Sequence, residues 1–98
     1  IYFSIIYHSL WEANLEKRLG LMYCLKEKDF YVRMHAYEYI LGYNGRLCTL
    51  LFIDSLKYEV TVLILPSFKG DENEVISKIL DCIEKSLKGF SIEIKRLS

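Results

Sequence analysis

The chain has 98 residues, 52% of them hydrophobic and 27% charged, which is enough apolar material for one core and too little length for two. Thirteen Lys and Arg balance thirteen Asp and Glu. That neutrality argues against the basic excess on which phosphate-dominated nucleic-acid binding rests. The same composition excludes a disordered chain, and no apolar run approaches the ~18 residues of a membrane span.

In chain order, Ile1 in place of an initiator methionine predicts a longer protein on the N-terminal side. The opening IYFSIIYHSLW lacks a basic start and a small-residue cleavage site, so it reads as part of the fold rather than a leader. From Ile5 to Leu19 the spacing is helical. Tyr7, Trp11, Leu15 and Leu19 recur every four residues, with Glu12, Glu16 and Lys17 on the other side. Gly20 is the expected stop, and a strand over residues 1–7 is the competing reading because the segment is rich in β-formers. Residues 21–26 then alternate Leu21, Tyr23 and Leu25 with Met22, Cys24 and Lys26, as a strand does, before a charged turn at Glu27-Lys28-Asp29.

Residues 30–41 read as one long strand. Tyr31, Arg33, His35, Tyr37 and Tyr39 fall on one face, and Val32, Met34, Ala36 and Ile40 on the other. Gly42-Tyr43-Asn44-Gly45 is a turn signal. Leu47–Ile53 and Tyr58–Leu65 are apolar at nearly every position and are separated by Asp54-Ser55-Leu56-Lys57, a hairpin-length loop. Pro66 ends the second, since it cannot donate to a sheet. Asp71 with Glu74 three residues on makes an N-capping pattern. Val75, Ile79, Cys82, Ile83 and Leu87 continue at helical spacing to Lys88, and Gly89 is the expected C-cap. Phe90–Leu97 alternates as a short strand or extended tail. The expected fold class is α+β: an N-terminal helix, a four-stranded antiparallel β-meander, a C-terminal helix and a short terminal strand, with both helices on one face of the sheet.

Catalytic chemistry has little to stand on. His8 and His35 lie in no metal-binding or base–nucleophile spacing, and Ser55, Ser67 and Ser91 lie in no nucleophile motif. The acidic cluster Asp71, Glu72 and Glu74 is explained by the dipole of the helix it opens. Gly42 and Gly45 form no phosphate loop. Cys24, Cys48 and Cys82 make no CxxC pair, so the expectation is no metal, no cofactor and three free, buried thiols, which fits a reducing compartment. Eight tyrosines, several on one strand face, supply flat surface with a polar tip, a composition enriched at protein interfaces.

Leu19-Gly20-Leu21, Tyr58-Glu59-Val60, Pro66, Phe90-Ser91 and Arg96 occur in an order and spacing that resembles the RWD-type globular head of Spc-class kinetochore subunits. These are the chromatin-proximal components of the rod-shaped outer-kinetochore complex that holds microtubules. The resemblance covers about residues 15–98. It implies that residues 1–20 end an N-terminal, coiled-coil helix and that residues 21–98 form an RWD-like domain. It further implies a non-enzymatic head in the nucleus, at the centromere. Such a head pairs with a sister subunit through Tyr7, Trp11, Leu15 and Leu19, and docks inner-kinetochore receptor proteins, with no membrane, nucleic acid or small-molecule substrate among its partners. Plain intramolecular core is the other reading of that stripe. A meiotic kinetochore clamp head would show much the same pattern, and a small archaeal or viral α+β domain with a nucleic-acid-binding or assembly role is the alternative from a different class.

Overall fold

A computed structural model describes residues 2–66 and 70–97, with side chains from Leu15 onward. The helix with the clearest sequence signature forms as its residues dictate. The Asp71 side chain accepts the Glu74 N–H, and α2 (Glu72–Ser86) follows with Val75, Ile79, Cys82 and Ile83 buried at helical spacing. It ends at Leu87, two residues before Gly89. Gly89 sits at φ +85° in the turn that the Phe90 N–H closes onto the Leu87 carbonyl.

The first helix is longer than the sequence pattern indicates. α1 (Tyr2–Glu27) runs through Gly20, so residues 21–26 are helical and not a strand. Its actual stop is Asp29, in the left-handed region at φ 70°. The Phe30 N–H returns to the Leu25 carbonyl and the Asp29 N–H to the Lys26 carbonyl, the paired bonds of a Schellman cap. Leu25 and Phe30, the residues such a cap brings together, are both buried.

The expected strand over residues 30–41 is also two elements. β1 (Tyr31–His35) and β2 (Glu38–Tyr43) pair antiparallel around a two-residue loop, with Ala36 at φ 52°. β3 (Arg46–Asp54) follows through Asn44-Gly45, both at positive φ, the backbone that hairpin turns favour. β4 (Glu59–Ile64) pairs antiparallel with β3, and β5 (Ser91–Arg96) adds parallel to β4. The sheet is five-stranded and mixed, in the order β1-β2-β3-β4-β5. The four antiparallel strands are therefore present, but cut from the chain at different places, and the terminal strand joins the same sheet. The architecture is α+β.

One face of the sheet holds Val32, Tyr39, Leu41, Leu51, Ile53, Val60, Val62 and Ile64, all buried in one cluster with Leu21 and Leu25 of α1 and the buried residues of α2. Each such side chain stabilises the fold by about 1.5–3 kcal/mol when fully withdrawn from water. The helices run antiparallel where they touch. Gly20 approaches Ser86, Cys24 is joined to Cys82, and Lys28 reaches Asp81.

Candidate interaction face

The face of the sheet away from the helices follows directly from the strand registers. Arg33, Ile40, Leu50, Leu63 and Lys95 stand side by side across all five strands. The next row toward the β3–β4 hairpin is His35, Glu38, Phe52, Thr61 and Glu93. Toward the β2–β3 turn lie Tyr31, Gly42 and Leu47. Ile40, Leu50 and Leu63 are half-buried by their neighbours, while Tyr31, Leu47 and Phe52 are 60%, 50% and 37% exposed. The result is a continuous apolar patch at the centre of the open face, and no described element covers it.

Gly42 lets two neighbours approach its backbone closely in this surface. A Cβ there would sit 3.3 Å from both the Tyr31 Cβ and the Arg46 carbonyl oxygen, so the tyrosine lies over bare backbone. A shallow depression of about 330 Å³ opens beside it, lined by Asp29, Tyr31, Gly42, Asn44, Gly45, Arg46 and Leu47. At its rim, Asp29 and Arg46 offer one acid and one base.

The expected tyrosine face does not exist as such. The turn at Ala36 reverses the chain, so Tyr31 stands on the open face while Tyr39 points into the core. The Tyr39 hydroxyl donates to the Arg18 carbonyl at 2.5 Å, and burial pushes its phenol well above the usual range against the opposing pull of Arg18. Arg18 is itself 2% exposed. Its guanidinium donates to the Ala36 carbonyl at 2.5 Å and lies 4.4 Å from the centre of the Tyr37 ring. This buried cation holds the β1–β2 turn onto α1, a structural role.

Of the stripe expected to meet a sister subunit, Tyr7 and Trp11 lie outside the described side chains, as does His8. Leu15 and Leu19 are half-buried. The face of α1 turned to the sheet carries Arg18, Leu21 and Leu25 instead. His35 stands exposed on the open face.

The cysteine expectation is overturned. Cys24 and Cys82 form a disulfide between α1 and α2, with Cα atoms 5.6 Å apart, and Cys48 alone is free and buried. The inference of a reducing compartment from unpaired cysteines thus loses its premise. Burial pushes the Cys48 thiol up, away from reactive thiolate character.

Two polar clusters lie beside the helices. The Lys78 ammonium donates to the Tyr43 hydroxyl at 2.5 Å, and that hydroxyl donates to Glu74 at 3.2 Å. The bond to Tyr43 holds the Lys78 ammonium above its ordinary range. Lys28 and Lys85 converge on Asp81 at 2.5 and 3.0 Å and hold its carboxyl below its usual range, Lys28 contributing most. Both clusters are pairings between neighbouring elements or successive helical turns, and each explains itself as packing. Among the described residues, no three His, Cys, Asp or Glu side chains converge as metal ligands, and no helix is long and apolar enough to cross a membrane.

Comparison with known proteins finds no matching family model, no matching curated protein and no matching solved structure.

Proposed function

We propose that this domain is a non-enzymatic protein-interaction head and that the open face of its sheet is where a partner docks. The observation that carries the reading is the contiguous patch of Ile40, Leu47, Leu50, Phe52 and Leu63 at the centre of a sheet whose other face is sealed by two helices. Contiguous exposed apolar surface on a folded domain marks an interaction site. The polar clusters supply no nucleophile–base pair to set against it.

Within that reading, the specific form is the RWD-like head of a chromatin-proximal kinetochore subunit. Its support is the element order of helix, four antiparallel strands and helix, together with the carrying residues that fall at element junctions. Tyr58-Glu59-Val60 opens β4, Pro66 follows it, and Phe90-Ser91 enters β5. Leu19-Gly20-Leu21 departs from the pattern, because it lies within α1 and not at its end. In this form Tyr7, Trp11, Leu15 and Leu19 pair with a sister subunit, and the open face takes an inner-kinetochore receptor.

The test compares Leu50→Lys with Leu56→Lys in the full-length protein in its host. Leu56 is 92% exposed in the β3–β4 loop and serves as the control, and the lysine stem at position 50 can lie along the face without unfolding it. The expected result is that Leu50→Lys alone loses the co-purifying partner and the centromeric focus, with an unchanged circular-dichroism spectrum. A wild-type protein that never concentrates at centromeres would remove the kinetochore form. Equal behaviour of the two variants would remove the open face as the docking site. Binding to single-stranded RNA that falls steeply with salt would favour the nucleic-acid alternative.

A further inference from the structure

The two edges of the sheet are protected differently. β5 closes one edge with Ser-Ile-Glu-Ile-Lys-Arg, whose charges discourage a further strand from adding. β1 forms the other edge as Tyr-Val-Arg-Met-His, with no proline, lysine or acid. His35 and Glu38 flank a two-residue loop, so by hairpin geometry they exchange both backbone bonds, as do Arg33 with Ile40 and Tyr31 with Gly42. The backbone groups of Val32 and Met34 therefore point outward, away from β2. Among the described residues, no backbone bond outside the ladders reaches either of them.

An added strand must bond those groups and tolerate the side chains beside them. A second β1, antiparallel about a twofold axis normal to the sheet, sets the strand against itself. Registers that keep the two open faces on one side differ in the charges they oppose. Centred on Arg33, the pairing sets that cation against its own copy. Centred on Met34, it sets Arg33 against His35, a cation against a basic ring. Centred on Tyr31, little strand overlaps, because β1 begins there. Centred on Val32, it sets Tyr31 against Arg33 of the second copy and Asp29 against His35, each twice over. Asp29 lines the same depression as Tyr31, and it has no ion pair among the described residues. In this register Val32 exchanges both backbone bonds with its copy, and the Met34 N–H meets the carbonyl of Phe30, whose own N–H is already bonded to Leu25.

We infer that β1 joins a second copy of this chain edge to edge, antiparallel, with Val32 opposite Val32, so that the two five-stranded sheets continue as one. The contact runs through strand edges and is independent of what docks on the open face. Each Arg33 guanidinium lies against the exposed Tyr31 ring of the other copy, a cation–ring contact made twice. Both open faces end on the same surface of the assembly, and all four helices on the other.

Sedimentation equilibrium of the chain between about 1 μM and 1 mM tests the association, and cysteine cross-linking tests its register. The expected result is a reversible dimer. Arg33→Glu, at an exposed position, weakens it about tenfold by removing both cation–ring contacts at once. Met34→Pro deletes an outward N–H while sparing the β1–β2 ladder, and dissociates it. Circular dichroism of each variant matches wild type. Asp29→Cys/His35→Cys, oxidised with glutathione disulfide, yields a covalent dimer, and neither single variant does. Positions 29 and 35 are roughly 20 Å apart within one strand, too far to bridge, and adjacent only across the two copies. A monomer at every concentration overturns the inference, including the case in which another protein's strand takes the edge. A dimer that Arg33→Glu leaves unchanged, or one that the double cysteine variant fails to cross-link, overturns it as well, since association then runs through another surface.

Discussion

Reducing the Cys24–Cys82 bond is the perturbation with the largest expected effect on this domain. The bond joins residues 58 apart in sequence, and releasing a loop of that length returns about 4 kcal/mol of chain entropy to the unfolded state. A domain of this size has roughly 5–15 kcal/mol in total, so about a quarter or more of its stability is at stake. At roughly 4–8 °C per kcal/mol for a chain of this length, the midpoint of thermal unfolding falls by about 15–30 °C. The measurement is circular dichroism of the same protein with and without reductant, which isolates the covalent link from any change of side chain. A Cys24→Ala/Cys82→Ala variant should unfold at or below the temperature of the reduced protein, because Cys82 is also buried core. Non-reducing peptide mapping of the purified chain must find the two cysteines in one linked fragment. Midpoints within about 3 °C of each other in the two conditions would refute the loop-entropy argument, and free thiols in the mapped protein would refute the pairing itself.

Two further perturbations test the packing of α1. Tyr39→Phe removes the hydroxyl that donates to the Arg18 carbonyl and should cost about 1 kcal/mol in urea denaturation, the worth of one buried hydrogen bond. No loss would mean that α1 is not held through that bond. Asp81, whose carboxyl is held low first by Lys28 and then by Lys85, contributes stability that is present above its unfolded value of 3.8 and lost as pH falls through its lower folded value. Asp81→Asn should therefore be less stable than wild type at neutral pH and converge with it in acid. A gap that stays constant across that range would sink the assignment.

How far the fold could be read from its residues depends on whether each signal was local. α2 was legible because its cap, its apolar spacing and its first-turn carboxylates agree with one another. β3 and β4 were legible from their apolar runs and from Pro66. The end of α1 was not, since Leu21 and Leu25 are four apart and satisfy a period of two as well as one of 3.6. Gly20 looked like a stop, whereas the real one is an aspartate in the left-handed region, a conformation more usual for glycine or asparagine. The β1–β2 turn had no visible signal at all. Ala36 stands at positive φ in a position where glycine is the common choice, and the buried Arg18 guanidinium, eighteen residues earlier, grips its carbonyl. That information is tertiary. The disulfide was hidden for a related reason, because Cys24 faces Cys82 only once residues 21–26 are helical. The candidate face was half legible: Leu47, Leu50, Phe52 and Leu63 stood out as strand residues with both faces apolar, but the side left open depends on where the helices pack.

The position of β5 has a consequence for the chain while it is being made. β4 cannot acquire its outer neighbour until α2 and the last strand have been synthesised, and the stretch from Leu65 to Phe90 takes a few seconds at roughly 5–20 residues per second. Through that interval the outer edge of Glu-Val-Thr-Val-Leu-Ile presents unpaired backbone on a β-prone, largely uncharged strand. Successive chains on one message pass through the same exposed stage in turn. The charged strand Ser-Ile-Glu-Ile-Lys-Arg that finally covers it is thus both the last part of the sheet and its guard against pairing with a sibling.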